Sequence, residues 1–292
     1  MIDFMKFKWL YFGISGSLIL ISIISLAIWQ IRPSIDFVGG ALLEVRFADR
    51  TDLNNEQIES AASSVDNVEI NSIVYSSDSN SFIIRTNSID ETKKSELIST
   101  LSEGISAAEE IRFETVGPTL GKELLIKTLV AMIIASILIM LYVTYQFKDR
   151  IYGVAAILAM FHDTLILVGA FSLFGHFMDV EVDTLFVTAV LTTLSFSVHD
   201  TIVVFDRIRE SLKQFPNAKF VDIINKAITE TLQRSLNNSI TIIFMLTALA
   251  LLGGVTIKWF VVALLIGTVL GTYSSPFVAS PILLFLIGRK RK

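Results

Sequence analysis

The sequence predicts an all-α membrane bundle of six transmembrane helices with one small α+β domain inserted outside the bilayer. Hydrophobic residues make up 52% of the 292-residue chain and charged residues 18%. The mean hydropathy is +0.64, a balance shifted from soluble domains toward membrane proteins. Six apolar runs each reach the roughly 20 residues that a bilayer core requires. Between the first and second lies a polar stretch, 32–117, with sixteen Asp/Glu against seven Arg/Lys and no window able to span.

The first run, Trp9 to Ile31, carries no charge and follows Lys6 and Lys8. It is too long for a signal-peptide core and has no small-residue cleavage site after it, so it is expected to be a retained anchor. In the polar stretch, Ala41 to Phe47 alternates as a strand with Leu43, Val45 and Phe47 on one face. Asp52 to Val65 has helical spacing at Ile58, Ala61, Ala62 and Val65, with Asp52 or Asn54 as cap. Val68 to Tyr75 is a second strand, Ser77 to Asn80 a turn, and Ser81 to Thr86 the returning strand. Ser88 to about Ala108 is a second helix and Glu110 to Val116 the last strand. The order β-α-β-β-α-β predicts a ferredoxin-like domain, two helices on one face of an antiparallel four-stranded sheet.

The remaining spans are Leu124–Phe147, Ile151–Phe174, Thr184–Phe205, Ser235–Gly254 and Trp259–Ile287. A charged segment of helical period, 206–234, carries six Lys/Arg, and the chain ends Arg289-Lys290-Arg291-Lys292. Lys6/Lys8, Lys148/Arg150, 206–234 and the tail share one side if there are six spans, which predicts both termini in the cytoplasm. Four regions follow. They are 1–31 (cytoplasmic start and first helix), 32–121 (periplasmic domain), 122–287 (five-helix bundle with the cytoplasmic segment 206–234) and 288–292 (basic cytoplasmic tail).

An ionisable residue within a span is costly and by default marks a functional site. Asp163, after His162, lies about 12 residues into the third span, roughly 18 Å deep at 1.5 Å per residue, and is either a proton-relay residue or a helix-packing residue bonded to Ser, Thr or His neighbours. Asp200, after His199, lies in the cytoplasmic half of the fourth span, with Ser197 and Thr201 beside it, and is expected to load and release a proton. Arg234 sits where the charged segment enters the fifth span, placed either to meet Asp200 or to reach the headgroups. Neither His-Asp pair has the spacing of two metal ligands on one helix face. The residues before Asp200 do not match the Gly-x-Gly-Asp context of intramembrane aspartyl proteases, and no phosphate loop is present. With no cysteine there is neither a disulfide nor a thiolate metal site. No enzyme activity, metal, cofactor or nucleic-acid partner is expected. Gly267, Gly271, Pro276 and Pro281, with Ser274 and Ser275, are expected to allow close helix packing and a kink in the sixth span.

Several stretches resemble the SecD/SecF protein-export membrane proteins, an RND-superfamily group. Ile35-Asp36-Phe37-Val38-Gly39-Gly40 is similar to that family's Asp-Phe-Thr-Gly-Gly signature, and Val116-Gly117-Pro118-Thr119-Leu120-Gly121 to its lead into the second span. Asp200-Thr201-Ile202-Val203-Val204-Phe205-Asp206-Arg207-Ile208-Arg209-Glu210 resembles its block ending Asp-Arg-Ile-Arg-Glu. The six-span layout with one periplasmic domain resembles the SecF branch rather than the larger SecD. The resemblance implies an inner-membrane subunit that pairs with SecD, associates with the SecYEG channel and YajC within membrane lipid, and uses the proton gradient to promote preprotein export after SecA-driven translocation. It implies proton-transfer roles for Asp200 and Arg234. His199 stands where the family usually has Asn, and Phe196 where it has Tyr, so His199 is a further relay candidate. The alternative is an RND-type exporter of lipids or small molecules.

Overall fold

The computed structural model describes residues 3–48, 53–76, 79–147 and 149–290. The cap candidate Asp52, the turn residues Ser77 and Asp78, Lys148 and the side chains of the basic tail lie outside the described residues. The chain divides into two compact units, Met1–Arg32 with Val130–Lys292, and Pro33–Leu129.

In the first unit a 3₁₀ turn, Phe4–Phe7, leads into α1 (Lys8–Ile28). Asn225 holds this turn, accepting the Met5 N–H at 3.0 Å and donating to Asp3 at 2.8 Å. The short helix α2 (Ile35–Val38), strands β1 to β4 and helices α3 and α4 belong to the second unit and are given below. The bundle continues with α5 (Pro118–Phe147), α6 (Arg150–Met178), α7 (Thr184–Gln214), α8 (Phe220–Leu252) and α9 (Val255–Ser274). A π turn, Ser275–Ala279, then joins α9 to α10 (Ser280–Lys290) within one apolar span. Among the described residues, six helices are thus long and apolar enough to cross a membrane, as the runs predicted.

Helix starts follow the local chemistry. Asp149 caps α6 by accepting the Ile151 N–H at 3.1 Å, and Asp183 caps α7 by accepting that of Phe186 at 2.7 Å. Between helices, lipid gives no hydrophobic gradient, so small residues set the spacing. A Cβ on Gly267 of α9 would overlap Thr193 of α7, and one on Gly169 of α6 would overlap Ser22 of α1. The Ser25 hydroxyl donates to Ser172 at 2.8 Å across the same α1–α6 seam.

The charged segment 206–234 is not an element of its own. α7 runs on to Gln214 and α8 begins at Phe220, so the segment consists of two helix extensions joined at Phe215–Lys219. The helix persists because its charges pair along its own surface, Asp206 with Arg209 at 2.9 Å and Arg207 with Glu210 at 2.5 Å. It stops before Pro216, which disfavours helix at the residue preceding it. Arg207 also meets Glu230 of α8 at 2.5 Å and ties the hairpin together.

The second unit carries β1 (Gly40–Phe47), α3 (Asn55–Ala62), β2 (Ile70–Ser76), β3 (Ser81–Thr86), α4 (Glu91–Gly104) and β4 (Ala108–Val116). The strands form one antiparallel sheet in the order β2-β3-β1-β4. Leu43, Val45, Phe47 and Ile84 pack with Ile58 of α3 and with Leu97 and Leu101 of α4 in a single core. Each side chain hidden this fully contributes roughly 1.5–3 kcal/mol. Gln57 accepts the Asn54 N–H at 3.2 Å at the start of α3, and Asp90 accepts the Lys93 N–H at 2.9 Å at the start of α4. That bond holds the Asp90 carboxyl below its ordinary value.

Candidate functional site

α6 places Asp163 midway along its length, and three polar side chains converge on its carboxyl group. His162 Nδ1 lies 2.8 Å from Asp163 Oδ1. The hydroxyls of Ser197 on α7 and Ser274 on α9 each donate to Oδ2 at 2.6 Å. Both oxygens of the carboxyl are thus engaged, Oδ1 by the imidazole and Oδ2 by the two hydroxyls. His162 and Asp163 are 5% and 6% exposed, so the cluster lies deep in the bundle. It joins three helices through one residue.

Polar contacts continue beside it. Thr201 Oγ1 donates to the Ser197 carbonyl and lies 3.0 Å from Ser275 Oγ, at the start of the π turn. Pro276 and Pro281 lack N–H groups, so the helix ladder cannot run unbroken through this region. The Ser280 hydroxyl donates to the Ser275 carbonyl at 3.1 Å and Ser275 Oγ to the Gly271 carbonyl at 3.1 Å, which offsets the loss. Such π turns appear frequently at functional sites. On α9, Gly271 lets the helix approach α7: a Cβ there would lie 3.1 Å from the Ser197 Cα.

Asp200 lies one turn beyond Ser197 on α7 and is 4% exposed. Its environment is different. Oδ2 has no hydrogen-bond partner among the described residues. On α8, which packs against α7, Ser235 is buried and directly follows Arg234. Arg234 is exposed, and among the described residues no ion pair joins it to Asp200. His199 is exposed on the next face of α7. Ser197 and Thr201, which the sequence places beside Asp200, turn instead toward Asp163 and Ser275. Ser235 is a site residue that sequence reading missed; its only signal is a small hydroxyl next to Arg234.

The signature residues have structural explanations. Gly39 and Gly40 adopt φ of 80° and 136°, conformations that L side chains rarely take. A Cβ on Gly39 would lie 2.7 Å from the Pro118 Cα, and one on Gly121 2.9 Å from the Gly39 nitrogen. Asp36 to Gly40 therefore packs backbone to backbone on Gly117 to Gly121, and Pro118 begins α5 where a missing N–H costs nothing. In the charged block, Arg209 donates to the Gln146 carbonyl at 3.1 Å and covers the Phe147 ring at the end of α5. Among the described residues, no three His, Asp or Glu side chains converge as a metal site would require.

Two buried carboxylates inside a six-span bundle define an integral membrane protein whose polar residues sit between helices, not at a surface cleft. A family profile described as "Protein export membrane protein SecD/SecF, C-terminal" matches residues 97–289. The chain is 36% identical to the protein translocase subunit SecF of Anaerolinea thermophila over 96% of this chain and 92% of that one. It is 38% identical to the SecF subunit of Thermobaculum terrenum over 97% and 93%. The crystal structure of SecDF from Thermus thermophilus, a translocon-associated membrane protein, superposes with a TM-score of 0.86 at 29% identity over 100% of this chain. SecDF in its super-membrane-facing form gives 0.73 at 29% identity over 99%. This chain spans 39% of the length of each of those solved chains. The chain belongs to the SecD/SecF family of protein-export membrane proteins, on the side of the SecF translocase subunits.

Proposed function

We propose that this chain pairs with a SecD partner in the inner membrane and uses the proton gradient to promote preprotein export, working beside the SecYEG channel and YajC. Both termini lie in the cytoplasm in this reading. The Pro33–Leu129 unit is extracytoplasmic, of ferredoxin-like type, and offers its acidic surface to the emerging preprotein. The element order and the strand order support the ferredoxin-like assignment. From Leu124 to Tyr142 the side chains of α5 are exposed or half-buried, a surface suited to lipid and to a partner's helices.

The observation that carries the reading is Asp200 Oδ2, buried in a span and without a hydrogen-bond partner among the described residues. An unpartnered carboxylate in that setting is costly, and accepting a proton relieves the cost. Arg234 and Ser235 lie on the adjoining helix, so a change in α7–α8 contact alters which protonation state is favoured. His199 and Asp163 complete the relay set. In a complex reconstituted with the SecD partner, Asp200→Asn is expected to reduce preprotein export to its level without a gradient. Retention of gradient-dependent export by that variant sinks the relay. In a depleted strain, unprocessed preproteins should accumulate; normal secretion with lost lipid efflux would instead favour the exporter alternative.

A further inference from the structure

The sheet of the Pro33–Leu129 unit ends in two edge strands, β2 and β4, of unlike chemistry. An edge strand presents a row of backbone N–H and C=O groups to any extended chain, and proteins blunt that row with charges, prolines or bulges. β4 is blunted in this way. It carries Glu109, Glu110, Arg112 and Glu114, and its register with β1 shifts midway, at Glu44/Val45. β2 reads Ile-Asn-Ser-Ile-Val-Tyr-Ser, without a charge or a proline. Its own register shift lies at its start, Ile70/Ser72, and leaves Ser72–Ser76 in regular pairing with β3.

The ladder sets which backbone groups of β2 point outward. Asn87 N–H donates to the Glu69 carbonyl at 3.1 Å, so the β3 residues in phase with it, Arg85, Ile83 and Ser81, turn toward β2. Their partners there are Ser72, Val74 and Ser76. Alternate residues of an antiparallel pair point away from the partner strand, which turns Ile73 and Tyr75 outward. The Asn55 amide at the start of α3 agrees, donating to the Ile73 carbonyl at 3.1 Å from outside the ladder. Among the described residues, the N–H groups of Ile73 and Tyr75 and the Tyr75 carbonyl have no such partner. Beside them stands the Tyr75 ring, 45% exposed, with its inner edge on Phe82 at 5.1 Å.

We propose that β2 is where this domain takes hold of an extended, unfolded polypeptide, which adds as a fifth strand beside Ile73 and Tyr75. Strand addition of this kind draws its affinity from main-chain hydrogen bonds. Every sequence carries those groups, and an uncharged edge sets no charge requirement, so many different preproteins fit it. Three free backbone groups make a brief hold, suited to a chain that must pass on. The proposal deepens the export reading above and takes the identity of the occupant from it.

The chain has no cysteine, so Val74→Cys places a sole thiol on this edge and Ile111→Cys a sole thiol on the other. Each variant is assembled with a cysteine-free SecD partner in proteoliposomes and oxidised while a cysteine-bearing preprotein is arrested in translocation. A disulfide to the preprotein is expected at Val74→Cys and not at Ile111→Cys. Adding Tyr75→Pro removes an outward N–H and spares the β3 ladder, as prolines on edge strands do, and should abolish that disulfide. Tyr75→Ala keeps the N–H and should retain it. If the proline variant does not fold, Tyr75→Lys, a charge on the same edge, takes its place with the same expected loss.

Equal crosslinking at both edges, or a disulfide that survives both Tyr75→Pro and Tyr75→Lys, overturns the proposal. So does a Val74→Cys thiol shielded from a soluble reagent before preprotein is added, which assigns the edge to the SecD partner. Disulfide-linked pairs of this chain would assign it to a second copy and overturn the proposal equally. Gradient-dependent export that fails in Asp200→Asn, beside no crosslink at β2, overturns this inference and leaves the relay standing. A β2 crosslink beside export that ignores the gradient does the reverse.

Discussion

Asp163 and Asp200 lie on adjacent helices and are hidden to nearly the same degree, at 6% and 4% exposure, yet they meet opposite surroundings. Asp163 meets polar side chains from α6, α7 and α9. Among the described residues, Asp200 keeps one oxygen without any partner and forms no ion pair with Arg234 of α8. Burial alone therefore does not identify a working carboxylate. Asp163, whatever its part in the proposed relay, ties three helices together through its contacts, whereas Asp200 keeps an oxygen with no partner among the described residues. The two roles sit one helical turn apart on α7, where Ser197 serves the first and Asp200 is the second.

The contrast is most exposed to a paired truncation. Asp163→Ala leaves His162, Ser197 and Ser274 buried without their partner and is expected to destabilise the full chain by about 3 kcal/mol. Asp200→Ala should cost much less, since Oδ2 already lacks a partner. Thermal unfolding in detergent checks this, and equal losses would break the comparison. Next in size is Gly267→Leu, which drives a side chain into Thr193 beside the Asp163 cluster; about 1–3 kcal/mol is expected. Its effect should appear in the same unfolding transition. Ser274→Ala sharpens the distinction at the level of one contact. Interhelical hydrogen bonds in membranes average about 0.6 kcal/mol, so a double-mutant cycle of Ser274→Ala with Asp163→Asn should return a coupling near that value. A coupling of zero would remove Ser274 from the cluster.

The smallest effect concerns an aqueous control, the exposed Asp90 at the start of α4. Its carboxyl lies below the ordinary value chiefly because the Lys93 amide donates to it. A depressed folded value means the stabilisation is present above the unfolded value, near 3.9, and is lost as pH falls through the folded one. Hydrogen exchange at the Lys93 amide should therefore quicken below about pH 4. Asp90→Ala should show the fast rate at every pH once the intrinsic dependence is removed. An acid response that persists in Asp90→Ala would assign it to another group.

Much of this arrangement was legible in the residues. The six apolar runs correspond to six long helices, because a bilayer leaves few alternatives for twenty uncharged residues. Alternation at Leu43, Val45 and Phe47 marks the buried face of β1, since side chains reverse at each strand residue. The partners of Asp163 were not legible. Ser197 and Ser274 lie 34 and 111 residues away, and nothing local distinguishes them from other serines that merely bond their own helix. The helical period of 206–234 was legible, but not its division into an extension of α7 to Gln214 and a start of α8 at Phe220; pairs three residues apart sustain the first of these. Pro216 was the visible signal of its end. The domain signature was readable as a resemblance, and the structure gives its glycines a reason: two backbone segments come too close for a Cβ.

The π turn at Ser275–Ala279 has an angular consequence for everything after it. An α-helix advances about 100° per residue, and a turn holding one residue more rotates the following segment by that amount. Leu283 is fully buried while Ile282 and Leu284 are only half-buried. In an unbroken helix a neighbour would occupy that inward position. The residues after Ser280 are apolar without interruption as far as Ile287, so the bulge, not the sequence pattern, decides which edge of the last span is buried.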